Sequence, residues 1–275
     1  VVRIKKVKKS DFNSLGFFTF LFVLILFPLQ SLTQQTEEFY SPWKNKETPI
    51  VIDAFHNNSI DWEELKTDKR VVGIIHKATE GETLTDRLYA SRKLTAKKLG
   101  YKWGSYHLLK KGKITEQAEF YLKKIGRNNP DEIMALDVEC SVNSKCNIPK
   151  YKVSAEEIKT FLSYVKKETG RYPIFYANQS VVKDLSTNYP NDYLLKNIPL
   201  WYARFKSEVT DFPKEIWQKY TFWQFSSEIN CRDGEECLYR VPGTKSDMDI
   251  NVFNGSVEQL KSNWGNIGKI ATTPF

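Results

Sequence analysis

Eight short runs of β-branched and aromatic residues constrain the fold more than any other feature of the sequence. They occupy 49–54, 71–77, 103–108, 133–139, 173–176, 199–205, 221–225 and 248–253. Such residues suit a pleated, half-buried surface, so each run reads as a strand. Helix-like stretches separate the early runs. The stretch 85–99 carries Leu88, Leu94 and Leu99 on a broadly helical spacing, and 115–125 carries Ala118, Tyr121, Leu122 and Ile125. The stretch 154–169 opens with a capping-box pattern from Ser154 to Glu157. It then places Ile158, Phe161, Leu162 and Val165 on one face, and Gly170 stops it. Strand, helix, strand at a repeat of about 30 residues argues βαβ units and a parallel sheet. Eight such strands favour closure into a barrel over an open sheet. The expectation is an α/β chain with a single irregular β/α barrel over 49–264, less regular in its second half.

The N-terminus is a separate object. A basic stretch up to Lys9 precedes an apolar run over 15–27, interrupted only by Gly16 and Thr19, and Pro28 ends it. Ser31 and Thr33 have the spacing of a signal-peptidase site. Residues 1–33 therefore read as a secretory signal. The run is short for a membrane span, which needs about 20 apolar residues, but an uncleaved anchor over 15–32 is the alternative. A polar linker over 34–48 and a tail over 265–275 flank the barrel. Half of the formal charge of +8 lies before residue 33. What remains suits an anionic polymer or an ordinary solvated surface, and no nucleic-acid partner is expected.

Export predicts oxidised cysteines. The four fall in two matched spacings, Cys140 with Cys146 and Cys231 with Cys237. Local pairing is favoured and would stabilise each loop by about 2–3 kcal/mol on the chain-entropy model. Cross-pairing of Cys140 with Cys231 or Cys237 stays open. Zinc is a poor fit, because the spacing is wide and no histidine lies near either pair.

Chemistry is sought where barrel strands end. In the fourth run Ala135, Asp137 and Glu139 share one face, while Met134, Leu136 and Val138 share the other. Two carboxylates side by side raise at least one pKa, which is what a general acid needs near neutral pH. The other strand ends supply acids, amides and aromatics: Asp53 and His56, Tyr106 and His107, Trp223 and Gln224, Asp249 and Asn251. Aromatic faces stack on sugar rings and amides bind hydroxyls. His107 alone reads more simply as a structural histidine.

These residues carry a family resemblance. The segment from Asp53 to Trp62 resembles the opening of the glycoside hydrolase family 25 lysozymes. So do Lys77-Ala78-Thr79-Glu80-Gly81, Gly104-Ser105-Tyr106-His107, Leu136-Asp137-Val138-Glu139, Leu200-Trp201-Tyr202-Ala203, Trp223-Gln224-Phe225 and Asp249-Ile250-Asn251-Val252-Phe253. The strings occur in the family's order across residues 50–264. The resemblance implies a flattened barrel of five β/α units with three further strands. It implies N-acetylmuramidase activity on peptidoglycan; no motif supports a metal or nucleotide cofactor, and a monomer is the expectation. It assigns Glu139 as general acid. Asp137 would stabilise positive charge or orient the substrate's N-acetyl group. Asp53 and Asp249 would be supporting acids, and Tyr106, Trp201, Trp223 and Gln224 would bind substrate.

One position departs from the family. Phe55 stands where a small hydroxyl residue is usual, which leaves a non-catalytic glycan-binding barrel as the alternative. A chitinase-type D-x-D-x-E strand is excluded by Ala135, and Gly112-Lys113-Ile114-Thr115 lacks the glycine-rich loop of a nucleotide site.

Overall fold

The structure, a computed structural model, describes residues 41–232, 234 and 236–269. The signal or anchor expected over 1–33, the start of the linker and the end of the tail lie outside them. Nine strands form among the described residues: β1 (Ile50–Ala54), β2 (Val71–Glu80), β3 (Leu84–Thr85), β4 (Lys102–Leu108), β5 (Ile133–Val138), β6 (Ile174–Asn178), β7 (Leu200–Ala203), β8 (Phe222–Ser226) and β9 (Asp249–Phe253). Eight close a barrel in the order β1-β9-β8-β7-β6-β5-β4-β2, with β1 pairing β2. These eight are the runs read from sequence. β3 folds back antiparallel on the end of β2, and its two exposed residues left no pattern to find.

Seven barrel strands run parallel, and β9 runs antiparallel to both β8 and β1. Helices follow the first five parallel strands: α1 (Trp62–Leu65), α2 (Tyr89–Lys98), α3 (Ile114–Ile125), α4 (Ala155–Thr169), then α5 (Gln179–Asn188) with the short α6 (Tyr193–Lys196). α7 (Val257–Asn263) follows β9. Among the described residues no helix separates β7, β8 and β9. Gly234, Pro242, Gly243 and the Cys231–Cys237 bridge interrupt the last connection. The reversal has a direct consequence: β9 begins where its neighbours end, so its first residue, Asp249, joins their C-terminal ends.

Strand alternation splits the core into two shells. Val51, Ile75, Ile133, Ala135, Ile174 and Phe222 fill the barrel. Ile52, Ile74, Met134, Leu136 and Val138 face the helices. α4 forms as its sequence requires. Ser154 N donates to Glu157 Oε2 at 2.8 Å, Glu157 N donates to Ser154 Oγ at 3.2 Å, and Gly170 ends the helix at φ 76°. α2 differs from its reading: Leu94 is 73% exposed, and Tyr89 and Ala96 are the buried residues. Leu88 and Leu99 return to one side of the helix, but Leu94 does not join them, so the three form no common face.

Both flanking segments pack more than expected. Trp43, in the expected linker, is buried and stacks on Phe225 at 4.4 Å. The expected tail begins with a docked segment. Arg171 donates to Gly265 O at 2.6 Å and Tyr172 N to Gly268 O at 3.0 Å. A Cβ on Gly265 would stand 2.1 Å from Pro130 O. Trp264 fills the barrel floor and donates from Nε1 to Trp103 O at 2.7 Å.

Both disulfides are local, Cys140–Cys146 and Cys231–Cys237, and cross-pairing is set aside. Replacing Cys231 and Cys237 together with serine is expected to lower stability by about 2 kcal/mol. Urea unfolding of the oxidised parent and the variant measures it.

His76 and His107 are buried in the wall of the barrel. His107 Nδ1 meets Thr79 Oγ1 at 2.8 Å and its Nε2 meets Gln117 Oε1 at 3.1 Å, which makes it the structural histidine its sequence suggested. Burial pushes both imidazoles down to about 4. A depressed histidine stabilises the fold fully above its unfolded pKa, near 6.5, and that stability is lost as pH falls toward 4. Each contributes about 3 kcal/mol in this window. His107→Gln is expected to lose less stability than the parent between pH 7 and pH 4.5, as read by urea unfolding at both.

Candidate active site

A cleft of about 280 Å³ opens at the C-terminal ends of the parallel strands. β5 delivers Asp137, β1 delivers Asp53, β4 delivers Tyr106, β6 delivers Tyr176 and β7 delivers Trp201, and the reversed β9 adds Asp249. Alternation on β5 places Asp137 above Ala135 inside the barrel, where it is 8% exposed. Its Oδ1 has no hydrogen-bond partner among the described residues. Burial, reinforced by the charge of Glu139, holds its pKa well above the usual carboxylate range, and Lys77 opposes the rise.

Glu139 sits one residue past the strand, on the rim and open to solvent. Asn178 Nδ2 donates to its carbonyl at 2.8 Å, and Cys140 beyond it is buried and bridged to Cys146. Desolvation against the cleft wall raises the Glu139 pKa. Lys77 opposes this, while Glu80 and Glu228 add to it. The two acids titrate as an interacting pair rather than singly.

A second acid pair lies across the cleft. The register of β1 and β9 sets Asp53 opposite Asp249. Burial raises Asp53 to about 6 and Asp249 well above the usual range. Asp53 Oδ2 accepts from Asn251 Nδ2 at 2.7 Å and from Gln224 Nε2 at 3.0 Å. Gln224 Oε1 accepts from Tyr176 OH at 2.8 Å, and Asn251 Oδ1 from Trp201 Nε1 at 2.6 Å. This network forms the cleft floor, and Asn251 Nδ2 ties it to the barrel by also donating to Val51 O at 2.9 Å.

Lys77 and Glu80 form the third element. Lys77 lies at a break in the β2–β4 register, and such irregularities re-aim side chains near sites. Glu80 pairs with Lys77 and, at 2.7 Å, with Lys110. These two ammonium groups outweigh its burial and hold it down to about 2.

Six residues singled out from sequence line the cleft together: Asp53, Tyr106, Asp137, Glu139, Trp201 and Asp249. Gln224 lies beneath them and holds Asp53. Trp223 does not join them. On β8, alternation turns Phe222 and Gln224 inward and Trp223 outward. There Trp223 is fully buried near Trp43 and donates from Nε1 to Arg204 O at 2.7 Å. Trp223 is therefore an outer-shell core residue, and grouping it with Gln224 overlooked the two-residue period. Phe55 does stand on the cleft wall, with Lys77 Nζ 6.0 Å from its ring. His56 bonds Asp86 at 2.9 Å instead of lining the cleft.

Sequence reasoning missed Lys77, Glu80, Tyr151, Tyr176 and Glu228 as cleft residues. Tyr176 was within reach, because it follows Ile174 on the inward face of β6. Lys77 and Glu80 lay inside a recognised string. Tyr151 and Glu228 come from loops that carry no periodic pattern.

Comparison with known proteins gives the same picture. The family model described as "Glycosyl hydrolases family 25" matches residues 52–233. Lysozyme M1 of Streptomyces globisporus is 26% identical over 219 residues, spanning 76% of this chain and 69% of that protein. A bacterial lysozyme from Streptomyces coelicolor shares the fold at TM-score 0.65 and 24% identity, covering 81% of this chain and 100% of that one. A muramidase from Trichobolus zukalii superposes at TM-score 0.61 and 25% identity, covering 80% of this chain and 99% of that one. The family match takes in the strand ends that carry Asp53, Tyr106, Asp137, Glu139 and Trp201, and on it the chain belongs to glycosyl hydrolases family 25, as a glycoside hydrolase with the lysozyme fold.

Proposed function

We propose that this chain is an N-acetylmuramidase that hydrolyses the β-1,4 bond between N-acetylmuramic acid and N-acetylglucosamine in peptidoglycan. The observation that carries the reading is the Asp137–Glu139 pair, two carboxyls with raised pKa values at one strand end in a cleft lined by aromatic side chains. The names of the similar proteins, lysozyme and muramidase, point the same way.

Glu139 is the proton donor. Its raised pKa favours the protonated form that a donor needs, and its rim position lets solvent reload it. It passes its proton to the bridging oxygen as the C1–O bond breaks. A water adds to C1, and the proton that water loses returns the carboxyl to its starting state. Asp137 lies deeper, where it stabilises the positive charge developing at C1 or holds the substrate's N-acetyl group for attack on that carbon. Asp53 and Asp249 face each other, and burial raises both pKa values, which keeps their side of the cleft from carrying two full charges. Tyr106, Tyr176 and Trp201 form the walls against which sugars pack.

Hydrolysis is expected to decline as pH rises through the raised pKa of Glu139, because the donor loses its proton. The falling limb of the kcat profile should therefore lie above the ordinary carboxylate range, and a limb at pH 4 or below would contradict the assignment. The chain acts outside the membrane, with residues 1–33 as signal or anchor. Two disulfides suit an oxidising compartment. Incubating the chain from Gln34 onward with purified peptidoglycan should release reducing sugars. Release of amino groups instead would mark an amidase or peptidase and sink the proposal.

A further inference from the structure

The cleft is acidic, yet one wall continues into a strongly basic surface. Two loops build it, 109–113 after β4 and 140–153 after β5. Together they carry Lys110, Lys111, Lys113, Lys145, Lys150 and Lys152 and no acidic side chain. Lys110 and Lys113 are paired with Glu80 and Glu82. Lys111, Lys145 and Lys150 are exposed, and none forms an ion pair among the described residues. The loops are tied to one another and to the barrel. Lys111 N donates to Lys150 O at 3.3 Å, Gly112 N to Glu157 Oε1 at 2.9 Å and Val142 N to Val153 O at 3.0 Å, and the Cys140–Cys146 bridge closes the second loop. Tyr151 joins this surface to the cleft. It lines the cleft, and Lys150 Nζ stands 5.0 Å and Lys110 Nζ 5.7 Å from its ring centre.

We propose that these loops form an anion-binding shelf for the carboxylates of the peptide carried by the glycan strand, so that the enzyme prefers peptide-bearing strands to bare polysaccharide. The inference rests on the muramidase reading. N-acetylmuramic acid bears its peptide on the lactyl group, next to the bond that is cut. The peptide branches from the ring beside that bond and so runs out of the cleft across the rim. The β8 side of that rim presents Glu228, which repels carboxylates. The shelf presents unpaired lysines, which attract them.

The test compares Lys111→Glu/Lys150→Glu with the parent on two substrates: peptidoglycan, and the same strands after an amidase has removed the peptides. Both positions are exposed, and circular dichroism checks the fold. On peptidoglycan the variant is expected to show KM raised about tenfold with kcat little changed, since two exposed attractions of modest strength are each turned into repulsions. High salt should shrink the difference. On stripped strands parent and variant should match. Equal KM for parent and variant on peptidoglycan would overturn the shelf, as would an equal loss on both substrates. A loss that depends on added phosphate-rich wall polymer rather than on the peptides would overturn the choice of ligand. Failure of the parent to cut either substrate would instead refute the muramidase reading.

Discussion

Glu139→Gln is expected to lower glycan hydrolysis by a factor of about 10²–10⁴ while leaving the fold intact. The amide keeps the size and hydrogen-bonding reach of the carboxyl but has no proton to give. Glu139 is on the rim, so the exchange costs little packing. It also removes one charge from a crowded cleft and should let Asp137 ionise more easily, because Glu139 is the largest charge holding Asp137 up. Rate and Asp137 pKa thus fall together: hydrolysis collapses while the cleft relaxes electrostatically. Initial rates on purified peptidoglycan measure the first effect, and carboxyl titration by NMR measures the second. A variant that keeps more than a tenth of the parent rate would remove Glu139 from the donor role.

Trp264→Ala is expected to destabilise the chain by about 3–5 kcal/mol. The indole is 1% exposed and seals the barrel floor beneath Phe222, whose ring centre is 6.5 Å away. Gly73 leaves room for it, since a Cβ there would meet Trp264 at 2.6 Å. Truncation would open a cavity at the closed end of the barrel and leave the Trp103 carbonyl without its indole donor. It would also loosen residues 265–269, which Arg171 and Tyr172 hold. Trp264→Phe should recover part of the loss by refilling volume without the hydrogen bond. Urea midpoints for the three proteins give the comparison. A loss below 1 kcal/mol for the alanine variant would mean that the floor closes without this ring.

The barrel was legible because its strands are buried on both faces and read as apolar runs wherever they occur. Helix α4 was legible because Ser154, Glu157 and Gly170 mark its ends chemically. Asp137 and Glu139 stood out because two acids end an otherwise apolar strand. What escaped has physical causes. The direction of β9 is set by a connection of turns and a disulfide, which leaves no periodic trace. Its reversal nevertheless sets Asp249 against Asp53. Trp223 was misplaced because aromatic character is shared by cores and sugar sites, and only strand parity separates the two. Tyr151 and Glu228 reach the cleft from loops, whose paths depend on tertiary contacts such as Lys111 N to Lys150 O. Trp43 and the segment after Trp264 lack periodicity and read as linker and tail, yet single side chains and backbone bonds dock them.

The central claim is bond specificity, and the identity of the new chain ends tests it most directly. Purified peptidoglycan digested by the chain, reduced with borohydride and hydrolysed should yield the alcohol of muramic acid. That product reports cleavage after N-acetylmuramic acid, and it should be absent with Glu139→Gln. The alcohol of glucosamine in its place would show that the other glycosidic bond is cut and would contradict the account.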